Sequence, residues 1–104
     1  MGQRETIIEG VARFKKRLSR ETDVERVIFF GSRASGKPTR WSDVDLLIVS
    51  TTFRGVKNRR AKGLHKYWTL DYPVDFLCYT PAEFERLRKR VSLVREAVEK
   101  GIAV

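Results

Sequence analysis

Apolar residues recur at helical spacing from the start of the chain: Ile7, Val11, Phe14 and Leu18, with Arg13, Lys15, Lys16 and Arg17 between them. That spacing predicts an amphipathic helix with one apolar face, ended by the polar segment Glu21 to Glu25. The pattern then changes to short, continuous apolar runs. Arg26–Phe30 (RVIFF), stopped by Gly31, reads as a buried strand, and Val44–Val49 (VDLLIV) and Val74–Tyr79 (VDFLCY) read as two more. Residues 31–42 hold two glycines, a proline and several hydroxyl residues, which predicts a loop with room for one helical turn. Residues 53–68 read as mostly helical, with Ala61, Leu64 and Trp68 on one face, although Gly63 weakens such a helix by about 1 kcal/mol relative to Ala. Thr80-Pro81-Ala82-Glu83 supplies an N-cap, a proline at the first helical position and a capping-box glutamate. Behind it Phe84, Leu87, Val91, Val94 and Val98 keep helical period, predicting one helix to near the end.

The order helix, strand, strand, helix, strand, helix predicts an α/β (α+β) fold. It would be a small mixed β-sheet of about three core strands flanked by helices, with residues 1–104 forming a single domain. The second and third strands are separated by the length of a parallel crossover, whereas a short loop from the first to the second predicts an antiparallel pair. Asp45 and Asp75 both occupy the second position of an apolar strand. Strand interiors exclude carboxylates, because leaving them unpaired away from water is costly. If the second and third strands are parallel neighbours, Asp45 and Asp75 stand side by side at one edge of the sheet. Asp43, two residues before Asp45, faces the same way, and the turn Gly31-Ser32 at the end of the first strand reaches the same edge.

Three facing carboxylates raise one another's pKa unless a cation intervenes. Oxygen-only ligands favour a hard ion, Mg2+ or Mn2+, over zinc, and Mg2+ commonly keeps waters and substrate phosphates in its shell. Gly31 would let the backbone approach a phosphate closely, and Ser32 offers a hydroxyl and an N–H. Each piece alone is common in proteins with no such site; the joint arrangement points to function.

Composition narrows the possibilities. At 104 residues the chain has the size of one domain, large enough to bury roughly 60 to 68 % of its unfolded surface. A hydrophobic content of 41% with 34% charged residues places it among folded, soluble chains. No apolar run approaches the ~20 residues that span a bilayer, and the N-terminus MGQRETIIEG has no signal-peptide core. The single cysteine, Cys78, excludes an internal disulfide and a Cys-based zinc site; within FLCY it reads as a small core residue. These features predict a cytoplasmic protein without a membrane partner. The net charge of +9 predicts a polyanionic partner such as a nucleotide, nucleic acid or acidic protein face, beside the alternative of a merely solvated basic surface. The scarcity of amides, Asn58 and Gln3 alone, fits a thermophilic source.

Gly31-Ser32, ten intervening residues, then Asp43-Val44-Asp45 resembles the signature of the polymerase beta-like nucleotidyltransferase superfamily. Over nearly its full length, including the third carboxylate in PVDFLCYTPAEF, the chain is similar to the minimal nucleotidyltransferases, or MNT proteins. The resemblance implies the nucleotidyltransferase fold and a Mg2+-dependent attack on the α-phosphate of ATP or another nucleoside triphosphate. It implies that Gly31 and Ser32 hold the triphosphate and that Asp43 and Asp45 ligate the metal. Asp75 would complete the metal site and help to activate the attacking hydroxyl. Arg33 is a further candidate phosphate ligand, with a solvated loop arginine as the alternative. MNT proteins are typically antitoxins paired with a helical HEPN-domain ribonuclease toxin, which some members modify by transferring AMP to a tyrosine. The resemblance therefore implies a protein adenylyltransferase acting as the antitoxin of a HEPN partner. In a chain of 104 residues, a templated polymerase carrying a template- or tRNA-binding domain is not expected.

Two other readings compete. One is a non-catalytic binding module that neutralises its partner by complex formation, against which the three aspartates argue. The other is a basic RNA-binding domain. From Leu46 to Leu70 there is no acidic residue, while Arg54, Lys57, Arg59, Arg60, Lys62 and Lys66 are cationic. His65 reads as a surface or packing residue. Trp41 reads as a base-stacking or loop-packing residue, and Tyr67 and Trp68 as core or partner surface rather than a nucleotide platform.

Overall fold

In a computed structural model the chain is described over residues 2–38, 42–55 and 60–104. Helix α1 (Gln3–Leu18) leads to strand β1 (Arg26–Phe30), a single helical turn α2 (Ser32–Ser35) and strand β2 (Val44–Val49). A 3-10 helix (Leu64–Tyr67), strand β3 (Val74–Tyr79), helices α3 (Pro81–Leu87) and α4 (Leu93–Lys100) and a two-residue strand β4 (Ile102–Ala103) follow.

The sheet has the order β3-β2-β1-β4. β2 and β3 are parallel, while β1 runs antiparallel to both β2 and β4. Both faces are covered, which is why the strands are apolar on both sides. Val27, Phe29, Leu46, Ile48 and Phe76 pack against α1 through Ile7, Val11 and Phe14. Ile28, Phe30, Leu47 and Val49 pack on the other side against Phe84, Val94 and Ala97 of α3 and α4. The mixed sheet flanked by helices is the fold that the element order predicts, with one strand more than the three expected. β4 is only two residues long, too short to leave a period in the sequence.

Two helices depart from expectation. Residues 53–55 and 60–68 hold turns and the 3-10 helix in place of an α-helix, and residues 56–59 of the expected helix lie outside the described residues. Gly55 and Gly63 adopt φ of 73° and 87°, left-handed values that interrupt a right-handed helix. The expected apolar residues still reach the core: Leu64 is buried, and Ala61 and Trp68 pack against the α1-side cluster. The Trp68 ring meets Phe14 edge-on at 6.1 Å, and its indole Nε1–H donates to the Tyr72 carbonyl at 2.8 Å.

The C-terminal helix is two helices. Thr80 accepts from the Glu83 amide, and the Glu83 carboxylate accepts from the Thr80 amide, closing the expected capping box. After Leu87 the chain bends. Ser92 Oγ donates to the Leu87 carbonyl at 2.7 Å and accepts from the Arg95 amide at 3.1 Å, capping a new helix. Val91, expected in the core, is 94% exposed in the bend, whereas Val94 is 1% exposed. Splitting the helix lets α4 turn back to lie against β1.

Candidate functional site

Asp45 of β2 pairs in register with Asp75 of β3, and on its other side it lies opposite Phe30, the last residue of β1. Leu47 and Val49 face α3 and α4, as do Leu77 and Tyr79. By the two-residue period of a strand, Asp45 and Asp75 project on that same face. Asp43, just before β2, is exposed and shares this direction by the same alternation.

Electrostatics agrees with the register. The Asp45 carboxyl is pushed above its ordinary pKa, chiefly by burial and then by the charges of Asp75 and Asp43. All three carboxylates therefore act on one locus.

Gly31 closes this locus from the side. Its φ of 84° lies where side chains are strained, and a Cβ there would overlap Oδ2 of Asp45. The Gly31 backbone is thus laid against the carboxylate. Its carbonyl accepts from the amides of Ala34 and Ser35 at 3.1 and 3.0 Å, forming α2. Ser32 Oγ donates to Ser42 Oγ at 2.9 Å, tying the Gly-Ser turn to the residue before Asp43.

Arg33 does not join this group. It is buried, and its Nε–H donates to the Ser42 carbonyl at 2.7 Å while a terminal nitrogen donates to Gln3 Oε1 at 3.4 Å. Its guanidinium stacks 4.9 Å from the Tyr72 ring centroid, and Tyr72 packs on the α1 side of the sheet. Two cations not singled out from the sequence, Lys37 and Lys100, instead line a cavity together with Gly31 and Ser32. Position alone could have flagged them: Lys37 follows the Gly-Ser loop closely, and Lys100 ends the last apolar period.

The donor set suits a hard divalent ion, being carboxylate oxygen throughout. Among the described residues no group of three or more His, Cys, Asp or Glu side chains is arranged to hold a metal ion. A divalent ion at Asp43, Asp45 and Asp75 would have to complete its shell with water and phosphate oxygens, as Mg2+ habitually does.

The other candidates fall elsewhere. Arg60 of the expected basic tract is engaged by Glu83 at 2.5 Å and also donates to the Cys78 and Gly55 carbonyls. Lys66 lies over the Tyr67 ring at 5.1 Å. Arg54 and Lys62 are exposed, while Lys57, Arg59 and Trp41 lie outside the described residues. His65 packs edge-on against Phe76 at 4.9 Å, matching its expected packing role. Cys78 is buried, and burial pushes its thiol up to about 12 despite the opposing Arg60 charge, so it is a core residue and not a nucleophile.

A helix-covered mixed sheet with acidic strand entrances beside a Gly-Ser turn defines a class, the α+β domains of nucleotidyl transfer. Residues 11–104 match the nucleotidyltransferase domain family, and the chain belongs to it. Its fold is similar to the crystal structure of a candidate nucleotidyltransferase from Sulfolobus solfataricus. The TM-score is 0.55 at 19% identity, covering 99% of this chain and 87% of that one. At that identity the likeness concerns the fold alone. A comparison with curated proteins returned no match. Among the described residues no helix is long and apolar enough to cross a membrane.

Proposed function

We propose that this chain transfers AMP from ATP to a hydroxyl on a partner protein, using Mg2+ or Mn2+ at Asp43, Asp45 and Asp75. The observation that carries this reading is the register of Asp45 with Asp75 beside a Gly31 whose missing side chain makes room for the Asp45 carboxylate. Gly31 and Ser32 bind the triphosphate at the end of β1, and Arg33 holds their turn in place from the α1 side. Asp75, exposed at the strand entrance, is free to accept the proton of the attacking hydroxyl. The bound divalent ion would supply charge neutralisation on the transferring and leaving oxygens. The hydroxyl oxygen bonds to the α-phosphorus, the bond from the α-phosphorus to the α–β bridging oxygen breaks, and pyrophosphate leaves carrying that bridging oxygen. The protein's contribution is mostly positioning and electrostatics.

The partner in this reading is a HEPN-domain ribonuclease toxin, with this cytoplasmic protein as its antitoxin and residues 1–104 as one MNT domain. The resemblance of Gly31-Ser32 and Asp43-Val44-Asp45 to MNT proteins supports it. In a basic RNA-binding reading, one cation of the tract, Arg60, is engaged by Glu83 instead.

The test is mass spectrometry of the protein incubated with ATP, Mg2+ and its genomic neighbour, beside an Asp43→Asn/Asp45→Asn control. An adenylyl adduct of the neighbour, absent from the control, is expected. A tight, unmodified complex formed equally by the control would replace catalysis with neutralisation by binding. With neither adduct nor complex, the partner assignment falls.

A further inference from the structure

We propose that Lys37 and Lys100 hold the β- and γ-phosphates of the nucleotide, and the pyrophosphate as it leaves, in the cavity beside the Gly31-Ser32 turn. This rests on the triphosphate reading above and names the cations of that site. The cavity, of about 470 Å3, is lined by Gly31, Ser32, Ser35, Lys37, Glu96 and Lys100, and its size is within the range of small-molecule sites.

Its position follows from the C-terminal elements. Ile102 pairs with Phe29 and Ala103 with Ile28. Lys100 ends α4 two residues before Ile102, and Gly31 follows Phe29 by two residues, so the pairing of β4 with β1 brings the end of α4 near the Gly-Ser turn. Gly101 makes the approach possible, since a Cβ there would stand 2.7 Å from Ile28 Cγ2 and also press on the Ala97 carbonyl. α4 covers the face on which Asp45 and Asp75 project, so Lys100 at its end lies on that side of the sheet, and Lys37 shares the cavity lining with it. Arg33, by contrast, is buried and bonded toward the α1 side. A tetra-anionic triphosphate reaching the Gly-Ser turn would thus find its compensating charge at Lys37 and Lys100. Lysine serves here as a mobile point charge, able to follow the β- and γ-phosphates as they depart.

Glu96, in the same lining, opposes a bound anion and gives the idea a sign test. Its carboxylate favours release of pyrophosphate by keeping the two lysines from binding it too tightly.

The experiment measures equilibrium binding of ATP, AMP and pyrophosphate, each with Mg2+, to the full chain. Wild type is compared with Lys37→Ala, Lys100→Ala, Lys100→Arg and Glu96→Gln. Each alanine variant should weaken ATP and pyrophosphate about tenfold, the usual loss of a charge-assisted hydrogen bond, and leave AMP unchanged. Lys100→Arg should retain most of the affinity, and Glu96→Gln should bind pyrophosphate more tightly. Unchanged ATP affinity in the alanine variants overturns the assignment while leaving the triphosphate reading intact. An equal loss for ATP and AMP makes the lysines merely structural and also overturns it. Failure of wild type to bind any of the three ligands removes the triphosphate reading itself.

Discussion

Burial, together with the charges of Asp75 and Asp43, pushes the Asp45 pKa upward, so ionised Asp45 opposes folding. Its protonated form is favoured in the fold, and the stability this gives is present below the ordinary carboxylate range and lost as pH rises through the raised pKa. At neutral pH, Asp45→Asn should therefore raise the Tm of the metal-free protein, by an amount that solvent screening of the partly exposed carboxylate keeps small. Scanning calorimetry in a chelating buffer checks this, and the gap should close on acidification. A lower Tm for the variant at neutral pH would mean that Asp45 is held by favourable bonds. Asp43, Asp45, Asp75, Gly31 and Ser32 were legible as candidates because carboxylates before apolar runs and a glycine after one are local anomalies. The direction of Arg33 was not legible. Its partners Gln3, Ser42 and Tyr72 come from three separate segments, and no local pattern announces them.

At the scale of elements, strong local chemistry read correctly and extrapolated period did not. The capping box fixed the start of α3 because all its partners lie within four residues. The helical period then ran on through Val91, because Ser92 is compatible with a helix interior as well as with a cap. Only the return of α4 onto β1 selects the break. Urea unfolding measures the consequence. Val94→Ala should cost about 2 kcal/mol, as for truncation in a packed core, whereas Val91→Ser should stay within about 0.5 kcal/mol, as for an exposed site. Similar losses at both positions would restore the continuous helix. Among the described residues of the crossover, turns at Gly55 and Gly63 stand in place of the expected helix. Yet Leu64 and Trp68 still meet the core, because apolar residues are buried whichever backbone carries them.

Across the whole molecule, a formal charge of +9 meets an acidic strand edge. The positive field should draw an anionic nucleotide toward the sheet edge. The affinity for Mg2+-ATP should therefore fall several-fold between low and physiological salt. Titration calorimetry across that range checks it, and a salt-independent affinity would mean that the distributed charge plays no part. What the sequence determined by itself was the set of features with strong local signals: α1, the three longer strands, the start of α3 and the acidic residues at the strand entrances. These depend on periodicity, capping and turn residues within a few positions of one another. The tertiary structure alone decided β4, the break between α3 and α4, the side on which Arg33 is buried, and the placing of Lys37 and Lys100 beside Gly31. Each depends on contacts between segments distant along the chain, where pairing and packing energies outweigh local preference.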